Sequence, residues 1–170
     1  VRSEMRAQWP AVRVFVFGHM GDGNLHIVVS TGGLPEDARE TMERIRKGMG
    51  LDPAAYRLEP QLLEVHFGDW QGFTIKEISM MSPELLDARH KDKWNFVPPG
   101  KHGESYAMLA VRIEKWLRTV NRQTICVTHG GVIRVLFHIV NGMAPEAAAN
   151  VEIVQDRVLK MEEGVLGWVE

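Results

Sequence analysis

The stretch Thr124 to Phe137, TICVTHGGVIRVLF, constrains the fold more than any other. Its apolar first half, Thr124 to Thr128, has the length and branched residues of a buried strand. It breaks at a histidine and two glycines, and from Gly131 to Val140 the apolar residues return at helical spacing, with Gly142 placed as a C-terminal cap. A strand that turns directly into a helix is the building unit of an α/β sheet. In such sheets ligands bind beyond the carboxyl ends of the strands, where His129 stands. Gly130 and Gly131 let the backbone come close to a ligand, and the unpaired N–H groups of a helix's first turn favour an anion, phosphate above all. An imidazole there donates to a phosphoryl oxygen and, when protonated, stabilises charge developing during transfer. A histidine satisfied by backbone at a tight turn is the plainer alternative.

Elsewhere the pattern alternates in the same way. Val12 to Phe17 reads as a strand, followed by a glycine-rich turn and a second strand from Leu25 to Val29. Leu34, Ala38, Met42, Ile45 and Met49 recur at intervals of three and four, which predicts an amphipathic helix from Pro35. Thr74 and Glu77 fit a capping box at the start of another helix, which Ser82-Pro83 interrupts. Asn95 to Gly103, NFVPPGKHG, is loop. Tyr106, Leu109, Ile113, Trp116, Leu117 and Val120 share one helical face. The tail suggests a hairpin turning near Glu163-Gly164. These elements imply an α/β fold with a largely parallel central sheet.

Composition narrows the chemistry. In 170 residues, 45% hydrophobic and 25% charged, there is apolar surface for one full core. A net charge of −2 supplies no broad basic field for nucleic acid or an anionic membrane. The single cysteine, Cys126, lies within the apolar strand, so no disulfide framework or thiol-rich metal site is expected. With no membrane-length apolar run and no secretory pattern at its start, the chain reads as cytoplasmic. It begins with Val1 rather than Met, as a fragment would.

VTHGGVIRVL resembles the second-histidine motif of the histidine phosphatase superfamily, the phosphoglycerate mutase-like enzymes. Three further segments agree in order. ARETMERIRKGMGLDP resembles the helix after the family's second strand, RLEPQLLEVHFGDWQGFTIKEI is similar to the segment carrying its acidic residue, and PPGKHGESYAML resembles its glycine-glutamate-serine segment. The likeness runs from about Ala38 to the C-terminus. It implies a three-layer phosphoglycerate mutase-like fold, with helices flanking the sheet. It also implies phosphoryl transfer on a phosphorylated small molecule through a phosphohistidine, with no cofactor and no metal. By position Glu64 is the acid that protonates the leaving oxygen and His129 the second histidine, with Gly130 beside it on the phosphate. His66, Asp69 and Trp70 fall to turn and packing roles. His90, Trp94 and His102 lie in the stretch expected to cover the site, where surface or packing roles are the plainer reading.

One part of the pattern is missing. The family's first strand ends in arginine-histidine-glycine, and that triplet does not occur here. In VFVFGHMGDGN, His19 is placed like the nucleophile, but Gly18 stands for the arginine and Met20 for the glycine. The position of a second arginine holds Asp37, which repels phosphate. The resemblance therefore implies an impaired phosphomonoester hydrolase or mutase, its first strand replaced or degraded. FGHMGDGNLHIVV instead resembles a signature in the C-terminal domain of FAD-linked oxidases, which implies His19 and His26 as metal ligands. The expected organisation is an oxidase-like segment over residues 1–33 and a histidine phosphatase-like domain over 34–170. Two other readings stand beside catalysis: a non-catalytic phosphate-binding or remnant domain, and an oxidase-derived metal-binding fragment.

Overall fold

In a computed structural model of the chain the described residues are 14–17, 19–21, 24–26, 36–121, 124–153 and 158–169, with backbone alone up to residue 39. The branched and aromatic run Val14–Phe17 forms strand β1. It lies in the middle of a four-stranded sheet, between β4 (Thr124–Val127) and β5 (Val158–Glu162), with β6 (Val165–Val169) beyond β5. β1 and β4 run parallel, Val14 opposite Thr124 through Phe17 opposite Val127. β1 and β5 run antiparallel, as do β5 and β6. The expected largely parallel sheet is thus corrected. Among the described strands only β1–β4 is parallel; β5 enters against β1, and the tight hairpin then makes β6 antiparallel to β5. That hairpin turns where expected, Glu163 and Gly164 both at positive φ (50° and 70°).

His19–Gly21 (β2) and Asn24–His26 (β3) form a separate antiparallel pair, in which His19 and His26 are direct cross-strand partners. The expected second strand, Leu25 to Val29, is described only to His26. The remainder, with Gly18, lies outside the described residues.

Six helices complete the described chain: α1 (Glu36–Gly48), α2 (Ile75–Met81), α3 (Pro83–Lys91), α4 (Tyr106–Leu117), α5 (Gly130–Asn141) and α6 (Pro145–Ala149). The Thr74 capping box forms as the sequence predicts: Thr74 Oγ1 accepts from Glu77 N, and the Glu77 carboxylate accepts from Thr74 N at 2.7 Å. Pro83 starts α3. Gly142, at φ 65°, ends α5.

α5 is apolar nearly all round and is buried nearly all round. It packs on α4, α6 and β6, enclosing Val132, Ile133, Val135, Leu136 and Val140. α4 contributes Leu109, Ile113, Trp116 and Leu117, and the sheet Val127, Leu159 and Met161. Each such side chain, fully withdrawn from water, stabilises the fold by about 2 kcal/mol before entropy is counted. A smaller cluster of Trp70, Ile78 and Leu86, with Phe96 stacked on Trp70 at 5.4 Å, fastens α2 and α3 beside this core. The two clusters hold the turn after β4 and the loop at residues 59–70 in fixed relation.

Candidate active site

The turn after β4 is tied down from its first residue. Thr128 is buried, and its hydroxyl donates to Leu62 O at 2.8 Å, joining the strand end to the short 3-10 turn Pro60–Leu62. His129 follows in extended conformation (φ −116°, ψ 165°) as the N-cap residue of α5; its carbonyl accepts from Ile133 N, while its side chain makes no cap bond. The half-buried imidazole borders a cavity of about 590 Å³ that Glu64 also lines.

Glu64 is brought to the same helix end by backbone donors. Its carboxylate accepts from Val65 N at 2.9 Å and from Gly131 N at 3.1 Å, the latter an N–H of the first turn of α5. The approach requires glycine: a Cβ on Gly131 would stand 2.2 Å from Glu64 Oε1. Burial pushes the Glu64 carboxyl above its ordinary value, and the two backbone N–H groups, Arg134 and Arg112 pull against that rise. A carboxyl poised in this way can hold a proton and release it, as a general acid must.

Arg112 fixes the loop that carries Glu64. Its guanidinium pairs with both oxygens of Glu104, each at 2.8 Å. The remaining donors reach the carbonyls of Gln61, Leu63 (2.8 Å) and Glu64 (3.1 Å). Each nitrogen of the fork has a partner, so Arg112 borders the cavity as a clamp on the backbone.

Arg134, whose charge reaches Glu64, belongs to a group of cations drawn from distant parts of the sequence. Arg134 of α5 is bonded to the buried Tyr106 hydroxyl and donates to Val151 O at 3.1 Å. Burial, with Arg134 and Arg89 close by, lowers the Lys93 amine to about 8; it donates to Asn150 Oδ1 at 3.2 Å and sits 5.9 Å from the Tyr106 ring centre. Burial likewise lowers Arg89. Three cations that raise one another's energy in a half-buried space form a field suited to an anion.

Glu64 and His129 line one cavity, and Gly130 follows His129 as the first residue of α5. His19 and His26 are placed in backbone register only; their side chains, and that of Asp37, lie outside the described residues. Trp70 is buried and Asp69 lies in the turn, as expected. Trp94 packs, stacked on Tyr106 and edge-on to His138 at 4.7 Å, and His90 is exposed on α3. His66 and His102, however, both border the cavity, with ring centres 5.8 Å apart. Sequence reading passed over Arg134, Arg89 and Lys93. The available signal was Arg134 itself, a lone guanidinium in an otherwise apolar helix. Among the described residues no group of three histidine, cysteine, aspartate or glutamate side chains is arranged to hold a metal ion. None of the described helices is long and apolar enough to cross a membrane.

Residues 36–164 match the histidine phosphatase superfamily (branch 1), and the chain belongs to that family. It is 30% identical over 93 residues to 6-phosphofructo-2-kinase 1 of Saccharomyces cerevisiae, and 28% identical over 106 residues to that organism's fructose-2,6-bisphosphatase. Those matches take in 53% and 61% of this chain but only 11% and 23% of the relatives, so the chain spans a minor part of their length. The fold also matches Bacillus stearothermophilus YhfR at a TM-score of 0.66, with 18% identity, over 93% of this chain and 95% of that one.

Proposed function

We propose that the chain binds the phosphoryl group of a phosphomonoester at the start of α5, with His129 and Gly130 on its oxygens and Glu64 as proton donor to the leaving oxygen. The observation that carries this reading is the bond between the Glu64 carboxylate and Gly131 N beside His129, on one wall of one cavity. It puts a proton donor and an anion-binding helix end side by side. Arg134, Lys93 and Arg89 supply charge that draws in and neutralises an anionic ester. The similarity to fructose-2,6-bisphosphatase agrees with a small phosphorylated substrate.

Hydrolysis is impaired in this reading. Phosphohistidine chemistry needs a nucleophilic imidazole held between arginines, and Gly18 and Asp37 stand where those arginines belong. β1 replaces the family's first strand in the three-layer arrangement, so the oxidase-like segment of residues 1–33 lends that strand to the phosphatase-like domain of 34–170. Phe17 pairs with Val127, and His19 and His129 each follow two positions later in the sequence, which makes His19 the candidate nucleophile of this reading. The chain would act in the cytoplasm.

Turnover of an aryl phosphate, together with calorimetric titration of orthovanadate, tests the proposal. Vanadate should bind, His129→Ala should abolish that binding, and hydrolysis should be slow. Absence of vanadate binding would leave the remnant-domain reading. Rapid hydrolysis abolished by His19→Ala would show a working nucleophile and refute the impairment. The cross-strand pairing of His19 with His26 favours one other reading, an oxidase-derived metal site, which elemental analysis of the purified chain without stoichiometric metal would end.

A further inference from the structure

The three cations around Tyr106 lack a counter-ion among the described residues. Arg89 comes from α3, Lys93 from just beyond it and Arg134 from α5, and all three are half-buried. None of them forms an ion pair with a described residue. Arg89 makes no hydrogen bond to one either, although Arg134 and Tyr106 lie within reach of its charge. The groups that do bond to the cations are neutral. They are the Tyr106 hydroxyl and the Val151 carbonyl on Arg134, the latter at 3.1 Å, and the Asn150 amide, whose Oδ1 accepts from Lys93 Nζ at 3.2 Å. The Glu64 carboxyl acts on Arg134 and Tyr106, but burial holds it toward its neutral form.

Uncompensated positive charge in a half-buried space is relieved in two ways: an amine gives up its proton, or an anion arrives. Lys93 has begun the first. Burial, with Arg134 and Arg89 close by, lowers its amine to about 8, so at that pH about half of the molecules carry it neutral, against about one in three hundred for an ordinary lysine. A neutral amine is a nucleophile.

The same nitrogen can also furnish the missing anion. Carbon dioxide adds to neutral amines and not to ammonium ions. The nitrogen lone pair attacks the carbon, an N–C bond forms, one C=O electron pair moves onto oxygen, and a proton leaves the nitrogen for solvent. Nothing is oxidised or reduced. The product is a carbamate, a planar two-oxygen anion at the end of the side chain, and that shape matches the paired N–H donors of a guanidinium fork.

We propose that Lys93 is an acceptor for carbon dioxide, its carbamate held by the guanidinium groups of Arg89 and Arg134. The modification turns one cation of the group into the counter-ion the other two lack. None of the three residues borders the cavity of Glu64 and His129, so the inference goes beyond the phosphoryl site and does not rest on it.

The test uses the full chain at pH 8 in carbon-13 bicarbonate. A carbamate carbon should appear in the NMR spectrum that Lys93→Met lacks. Alkylation in place with triethyloxonium ion, followed by peptide mapping, should find the ethyl carbamate on Lys93 at least about tenfold more often than on the exposed Lys91 or Lys101, a ratio well within what the neutral fractions allow. In Arg89→Gln, first shown to melt cooperatively, occupancy of Lys93 should fall at least about threefold, the scale of one lost charge-assisted contact. An adduct no more frequent on Lys93 than on Lys91 and Lys101 overturns the proposal on the wild-type chain alone. Identical carbamate spectra from the wild type and Lys93→Met overturn it equally. Occupancy unchanged in Arg89→Gln means that the guanidinium groups do not hold the carbamate, and the site as described is wrong.

Discussion

Two parallel strands lie side by side in the sheet and continue in opposite ways. Beyond Val127, β4 runs through His129 into a long buried helix whose Gly131 N–H holds Glu64. Beyond Phe17, β1 gives way to the short β2–β3 pair, with His19 in the first strand and His26 opposite it. A strand end becomes an anion site when a helix follows it, because the helix supplies oriented donors and a favourable dipole. A hairpin pairs its inward N–H groups across the strands and points the others sideways in alternation, without the aligned donors and dipole of a helix end. Histidine on its own does not distinguish the two strand ends. The element that follows it does.

The difference can be attacked from its supports. Arg112→Ala should have the largest effect on stability, about 3 kcal/mol by chemical denaturation, because it strands the Glu104 carboxylate and frees three carbonyls of the Glu64 loop. A loss below about 1 kcal/mol would mean that the β4 side is not held as described. On ligand binding, His129→Ala should weaken vanadate affinity by at least about tenfold. His19→Ala should change it by less than about twofold. Equal losses in the two variants would erase the contrast between the strand ends.

Protonation sharpens the comparison further. Because burial raises the Glu64 carboxyl, the folded chain holds a proton there that the unfolded chain has given up. That contribution to stability is complete below the ordinary glutamate value and is lost as pH rises through the folded value. Glu64→Gln removes the titration, so melting curves of variant and wild type should diverge in the variant's favour as pH climbs from 4 toward neutrality. Parallel curves would show a carboxyl not perturbed by its surroundings. Lys93 works in the opposite direction: with its amine lowered to about 8, stability relative to Lys93→Met should rise between pH 8 and 10.5. The expected gain is on the order of 1 kcal/mol, the full shift being reduced by solvent screening around a half-buried amine. A flat difference would place that amine in ordinary solvent.

The smallest change is Gly131→Ala. Better helix propensity, worth up to about 1 kcal/mol, offsets the crowding of a flexible carboxylate, so stability should barely move. The displaced Glu64 should titrate nearer its ordinary value, measurable by carboxyl carbon NMR. An unshifted Glu64 would show that the close approach does not depend on glycine.

Local signals in the sequence gave correct local answers. The turn into α5, the capping box at Thr74, the interruption at Pro83 and the hairpin at Glu163-Gly164 each arise from residues within a few positions of one another. The family resemblance brought Glu64 to His129 across more than sixty residues, which spacing alone could not do. Non-local geometry was not legible. Nothing in VFVF says that its neighbours are Thr124–Val127 and Val158–Met161, so the mixed sheet was misread as largely parallel. The cation group escaped for the same reason. Arg89 and Lys93 meet Arg134 around Tyr106, where Trp94, just beyond α3, packs on His138 of α5.

The central place of β1 also determines when the fold can close. The strand leaves the ribosome more than a hundred residues ahead of either of its partners. Until they emerge VFVF has two unpaired edges and an apolar sequence, the combination that recruits chaperones or mispairs with a neighbouring nascent chain. A pairing so distant in sequence also makes for slow folding. For this protein the hazard of synthesis is concentrated in four residues, and it ends only when the last hairpin is released.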